Sequence, residues 1–178
     1  MVISMNRKIN LWQLSGFAVT AIVGTLLHFL YEWLGEAWWI APFSGVNEST
    51  WEHMKLLFWP MAIFALVQSL IFDGKRGFWC VKLVGTLTGL ILIPVLYYTY
   101  NGAIGKSPDI VNISIFFISA AIAYAIEARL LKAGRLRCKH PALAIALLCI
   151  LALLFVTFTF APPPLGIFVD PITGECGM

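Results

Sequence analysis

The run Val46-Asn47-Glu48-Ser49-Thr50-Trp51-Glu52-His53-Met54-Lys55 sets two carboxylates, an imidazole, an ammonium, a carboxamide and two hydroxyls side by side. The chain around it is 60% hydrophobic and only 12% charged, so this concentration runs against the composition. An ionisable group near a bilayer costs free energy unless it is paired, hydrated or used, which marks the run as a candidate site. Two kinds of chemistry fit these residue types. A histidine with two or three carboxylates is a donor set for a divalent metal, with imidazole suited to zinc. Such a metal lowers the pKa of a bound water and supplies a nucleophile. Without a metal, the same groups serve as general acid and base. Catalytic work falls on this reading to Glu48, Glu52, His53 and Lys55, the lysine as electrostatic stabiliser or anion anchor.

Other residues are expected at the same depth. His28 precedes Glu32 by one helical turn, so the two share a face. All the acids except Asp73 and Glu127, and every histidine except His140, fall toward this end of the chain's apolar stretches. The expected metal ligands are His28, Glu48, His53 and Asp170, and the expected substrate contacts are Glu32, Asn47, Ser49, Tyr97 and Asn101. A purely structural reading competes for part of the set. Ser49-x-x-Glu52 matches the capping box that opens a helix, with each side chain satisfying the other's backbone N–H. A Glu48–Lys55 surface pair, worth about 0.2–1 kcal/mol, would account for two more. No H-E-x-x-H, G-x-S-x-G, phosphate-binding loop or dinucleotide fingerprint is present.

The elements that must carry these groups are membrane helices. A mean hydropathy of +0.87 over 178 residues places the chain in the integral membrane class, as a single domain. Crossing a hydrocarbon core of roughly 30 Å takes about 20 helical residues. Five stretches meet that need: 11–34, 51–72, 78–100, 110–131 and 142–160. The fold class predicted is an all-α polytopic bundle. The first stretch is too long for a signal core and ends in Tyr31-Glu32-Trp33-Leu34 without a cleavage site. All the lysines and arginines except Lys55 and Lys106 fall on one side of the bundle. The positive-inside rule then predicts a cytoplasmic N-terminus and an extracytoplasmic C-terminus, in the cell membrane. A net charge of +3 is explained by these loops and gives no reason to invoke nucleic acid. Trp33, Trp38, Trp39 and Trp51 are expected as an outer aromatic belt, and Glu127 and Arg129 are expected to snorkel to water at the inner end.

Segment 35–50 is too apolar for a solvated loop and is expected to fold back on the bundle. The tail 161–178, with its prolines, cannot be helical throughout and is expected to cross the outer mouth with Asp170. Gly85-Thr-Leu-Thr-Gly89 permits close helix approach. Pro60 and Pro94 are expected kink sites. Cys80 and Cys138 lie on the inner side, Cys149 within a helix and Cys176 in the tail, so no disulfide is expected. No internal repeat is visible, against inverted-repeat transporters. The inner halves of the first two helices also read as lacking a polar track.

The segments His28-Phe-Leu-Tyr31-Glu-Trp33 and Val46 through Lys55, continuing Leu-Leu-Phe58-Trp-Pro60-Met61, resemble a family of small bacterial membrane proteins of unknown function. Tyr97-Tyr98-Thr-Tyr100-Asn101-Gly102 resembles the end of its third helix, and Phe158-Thr-Phe160-Ala-Pro162-Pro163 with Phe168-Val-Asp170-Pro171 its tail. The resemblance implies five helices and a convergence of His28, Asn47, Glu48, Ser49, Glu52, His53, Lys55 and Asp170, but no activity. The expectation is a membrane-embedded hydrolase or transferase, dependent on a divalent metal with zinc favoured. Its substrate would be a lipid or a small extracytoplasmic molecule, and a homo-oligomer is compatible. The alternatives are a proton- or cation-linked binding or transport protein and a structural subunit.

Overall fold

A computed structural model describes residues 2–72, 77–134 and 138–177. Lys75, Arg76, Arg135 and Arg137, which carry part of the charge asymmetry, lie outside the described residues. Five helices are present among the described residues: α1 (Val2–Trp33), α2 (Thr50–Ile71), α3 (Phe78–Ala103), α4 (Asp109–Ala133) and α5 (Pro141–Phe160), followed by a 3-10 turn at Gly166–Phe168. Each of the five is long and apolar enough to cross a membrane. The expected boundaries hold within three residues except at α1, which begins at Val2 and not at Leu11. No glycine or proline interrupts residues 2–10, so helical hydrogen bonding continues past Arg7 and Lys8, where the apolar run stops.

α2 is the central element. Of its apolar span 56% is buried, against 17% for α1 and for α5. α1, α4, α3 and α5 pack around it in that order. Its face Leu56, Leu57, Phe58, Met61 and Phe64 forms the main core with Leu90, Ile93, Phe116 and Phe155. The tail adds Phe168, whose ring stacks 4.8 Å from that of Trp51. Trp51 is therefore buried beneath the tail and is not part of an aromatic belt.

α3 packs on α4 at the two glycines of the small-residue pattern, and Gly89 also meets Leu57 of α2. A Cβ on Gly85 would stand 2.3 Å from Cγ of Glu127, and one on Gly89 would stand 2.6 Å from Cδ2 of Leu57. Gly85 thus makes the space that Glu127 occupies. Glu127 does not snorkel: it is fully buried, with its Oε2 2.5 Å from Lys82 Nζ, itself 2% exposed. Arg129 is exposed. One turn away the Tyr124 and Thr20 hydroxyls share a hydrogen bond of 2.8 Å.

The inner halves of α1 and α2 are not free of polar groups either, since Gln13 and Gln68 are both buried. Gly16, Phe64 and Tyr124 meet in one layer. Gln13, Gln68 and Glu127 each lie about one turn further toward the basic end, on α1, α2 and α4. Gln68 Nε2 donates to the Trp12 carbonyl at 3.4 Å. Both polar atoms of the Gln13 side chain, Gln68 Oε1 and Glu127 Oε1 have no protein partner among the described residues. The layer is not visible along the sequence because its members are spread over three helices.

The expectation of no disulfide is also corrected: Cys80, in the first turn of α3, is bonded to Cys138, just before α5. Both cysteines had been placed at the basic end; what the sequence does not show is that α5 returns beside α3 there.

Removing one partner of a buried ion pair leaves an uncompensated charge, at a cost of roughly 3–5 kcal/mol. Lys82→Met and Glu127→Leu should each lower the melting temperature in detergent sharply. The double variant should recover most of the loss, because it leaves neither charge behind. Additive losses in the double variant would contradict a direct pair.

Candidate functional site

The connection from α1 to α2 folds back onto the bundle, as its composition suggests, and does so by inserting into α1. Ser44 Oγ accepts from the Tyr31 N–H at 2.9 Å and donates to the Leu27 carbonyl. The Gly45 N–H donates to the same carbonyl at 3.3 Å. A side chain placed in the i to i−4 ladder opens that turn, and this is the turn that holds His28.

α2 then begins at Thr50, capped by Ser49, whose Oγ accepts from the Glu52 N–H at 3.4 Å. Only this half of the expected capping box forms. The Ser49 N–H turns instead to Asn47 Oδ1 at 2.9 Å, and Glu52 reaches beyond Ser49 to the Val46 N–H at 3.0 Å. The other partner of Glu52 is Lys55, at 2.5 Å. Lys55 is fully buried and also donates to the Ala41 carbonyl and to Thr159 Oγ1, each at 2.8 Å. An ammonium has three protons to donate, and all three are committed. The expected Glu48–Lys55 pair is absent, because Lys55 points into the bundle.

Glu48 faces the other way. Its Oε1 lies 3.6 Å from His28 Nε2 and its Oε2 3.5 Å from His53 Nε2. The two imidazole rings are 5.5 Å apart between centroids. One ligand atom from each of His28, Glu48 and His53 falls within 4.8 Å of the others. Nδ1 of His53 donates to the Ser49 carbonyl at 2.9 Å, the carbonyl being able only to accept. In a neutral ring that bond puts the lone pair on Nε2, the atom nearest Glu48, as in the outer-sphere arrangement that orients metal-binding histidines. His28 Nδ1 has no such partner among the described residues.

Asp170 arrives at this end with the tail, but not in the group of three. Its Oδ2 accepts from the Glu48 N–H at 3.3 Å, and its Oδ1 accepts from the backbone of Ile172 at 2.6 Å and Thr173 at 3.3 Å. Asp170 therefore closes the turn of the tail and holds the backbone that carries Glu48. Asn47 makes a second tie, donating from Nδ2 to the Gly177 carbonyl at 2.8 Å.

Two cavities meet at His53 and Glu48. One, of 430 Å³, lies between α1 and α4 and is lined by Gly24, Thr25, His28, Phe29, Leu56, Ile113, Phe116 and Phe117. The other, of 130 Å³, extends toward the α3–α4 connection and the tail, past Tyr97, Lys106, Ser107 and Pro171. Asp109, Asn112, Phe116 and Ile172 line both. Tyr97 is a wall of the smaller cavity. Ser49 is buried beneath the site, Glu32 is exposed a turn beyond His28, and Asn101 is spent on closing the α3–α4 connection through Ser107. Asp109, which lines both cavities, and Lys106, which lines the smaller, were not among the expected site residues. Asn112 does not cap α4, whose cap position is Pro108; its Oδ1 accepts from Ser107 Oγ at 2.6 Å.

A bundle of membrane-length helices with a polar group gathered at one end is a multi-pass membrane protein with an end-on site. The chain belongs to DUF6512, a family of unknown function, whose model matches residues 1–178. No curated protein and no solved structure matches it.

If Lys55 and Glu52 are structural, Glu52→Gln and Lys55→Met should each destabilise the protein and expose segment 35–49 to limited proteolysis. Glu48→Gln, with a half-exposed carboxylate, should leave both readouts near the parent's when the two proteins are compared metal-free. A stable, protease-resistant Lys55→Met protein would restore the lysine to the candidate catalytic set.

Proposed function

We propose that this protein is a membrane-embedded hydrolase or transferase that uses a divalent metal, zinc by preference, held by His28, Glu48 and His53. The observation that carries this reading is the spacing of the three donors. Contacts of 3.5 and 3.6 Å are too long for good hydrogen bonds. They run from the two oxygens of Glu48 to the two imidazoles and are near the separation of about 3.3 Å between neighbouring ligands of a tetrahedral ion with bonds of roughly 2.0–2.1 Å. One donor atom from each residue lies within 4.8 Å of the others. Two histidines and one glutamate are also a donor set of catalytic zinc sites, which keep a fourth position open. Here the group borders both cavities, so a fourth position is accessible to water and substrate.

The bound ion would supply an activated water and polarise an ester or phosphoester oxygen. The remaining work falls to the chain. Asp109, on the far wall of both cavities, is the carboxylate left to take the proton of the attacking water. The same proton is then available to the leaving oxygen as its ester bond breaks. Glu52 and Lys55 take no part in this step, being bonded to each other and to the backbone. Asp170 acts on Glu48 through its backbone and is a positioning residue.

The site end is extracytoplasmic in this reading, on the charge asymmetry. That orientation places the Cys80–Cys138 bond at the cytoplasmic end, where cellular reductants hold thiols reduced. The state of this cysteine pair is therefore a direct check on orientation. In cells quenched with acid and tagged with a maleimide polymer, the pair should react along with the free Cys149 and Cys176, shifting the band four times and not two. A pair protected until reductant is added would reverse the orientation.

The transport reading draws support from the buried polar layer at the basic end. Between that layer and the His–Glu–His group α2 is apolar from Leu56 to Phe64, and the polar groups buried beside it are the hydroxyls of Thr20, Ser119 and Tyr124, which carry no charge.

Protein purified in detergent should carry about one equivalent of zinc, and chelator should lower its melting temperature, since an ion bound only to the folded state stabilises it. His28→Ala, Glu48→Gln and His53→Ala should each reduce occupancy at least tenfold. Asp170→Asn should keep most of it. Acid should release the ion as the imidazoles protonate. Absence of stoichiometric metal together with indifference to chelator would sink the metal reading.

A further inference from the structure

Taking the reading of the His28–Glu48–His53 site given above, we propose that its substrate is a phosphorylated membrane amphiphile. Its apolar chain lies in the cavity between α1 and α4, and its head lies in the smaller cavity beside Lys106.

The larger cavity opens sideways. Gly24 closes its floor, where an added Cβ would meet Phe116 at 2.6 Å and the Leu56 carbonyl at 2.7 Å. Toward the site end the walls are Thr25 and Phe29 on α1 and Ile113 on α4, all exposed and all within spans long and apolar enough to cross a membrane. The mouth therefore faces lipid tails and not water. A water-soluble substrate has no use for such an entrance, whereas a lipid chain reaches it by lateral diffusion.

Depth gives the second argument. His28 lies five residues before the last residue of α1, or roughly 7–8 Å at 1.5 Å per residue. The three donors therefore stand near the boundary between acyl chains and head groups, where the bond joining chain to head is found. The smaller cavity continues from that level to the tail, with Lys106 and Asn112 on its wall. A divalent ion and Lys106 supply three positive charges against two negative from Glu48 and Asp109. The balance favours an anionic head, and phosphate oxygens suit both the metal and the ammonium.

The test uses the full-length protein in vesicles of phosphatidylglycerol and phosphatidylethanolamine. A small share of the phosphatidylglycerol carries a diazirine at the end of one acyl chain. After irradiation, labelling of peptides spanning 24–29 and 113–117 should exceed labelling of lipid-facing α5 severalfold. Ile113→Trp and Thr25→Trp, which narrow the mouth from opposite walls at exposed positions, should each bring that excess down to the α5 level. Both variants should retain zinc. Glycerol phosphate, which has the head but no chain, should not compete.

Even labelling over all five helices, or an excess that neither tryptophan removes, would overturn the proposal. The metal reading fails separately, through loss of zinc binding in protein whose labelling pattern is intact. A labelled, zinc-bearing protein supports both.

Discussion

The ammonium of Lys55 is the interaction on which the site end depends. It is fully buried, and its three protons go to Glu52 on its own helix, to the Ala41 carbonyl of the α1–α2 connection and to Thr159 near the end of α5. One charge thus joins the central helix, the segment that folds over it and the helix from which the tail departs. A buried ammonium is tolerable only when its charge is matched and its donors are used. Both conditions are met here only with the connection and α5 in place. The fold-back of residues 35–49 is therefore coupled to the burial of Lys55. Glu48 and the Ser44 insertion beside His28 both ride on that fold-back.

The second buried pair, Lys82 with Glu127, obeys the same rule at the other end by a different device. Room for the carboxylate comes from a missing side chain at Gly85, not from a loop that wraps it. Small residues in membrane bundles are usually discussed as permitting backbone contact. In this bundle one of the two glycines is better understood as the socket for a charged side chain. The polar atoms of Gln13, Gln68 and Glu127 that lack protein partners surround that socket. A site of this polarity calls for buried water to complete its hydrogen bonds.

Much of this was legible in the sequence, and the failures share a cause. Helix positions followed from apolar run lengths, and α1 was misjudged only where helical bonding outruns hydrophobicity. The location of the site followed from the crowding of Glu48, Glu52, His53 and Lys55. His28 and His53 were both expected among the ligands, and their donor atoms lie within 4.8 Å of each other and of Glu48. What failed were judgements about which face a charged residue presents once several helices surround it. Glu127 was given to water, Trp51 to an interfacial belt, and Cys80 and Cys138 to separate lives. Each depends on α4 or α5 packing against an earlier helix, and a periodicity within one helix carries no record of its neighbours. The fold back of the connection was expected from its apolar content; that Ser44 would enter the α1 ladder was not.

Glu48 and Glu52 show why the motif needed a structure before it could be divided into roles. They are the same residue type, four positions apart, at the start of one helix. Glu52 falls within the first turn, where the cap fixes its backbone and its buried carboxylate is bonded to Lys55 and the Val46 N–H. Glu48 falls before the cap, where its backbone is held by Asp170 and its carboxylate remains 42% exposed between two imidazoles. A carboxylate whose bonds are all made contributes rigidity and has nothing left for a ligand. A carboxylate held only by its backbone can exchange partners, and that is the property required of a metal ligand. Sequence spacing assigned both to chemistry; the position of the cap between them separates the strut from the ligand.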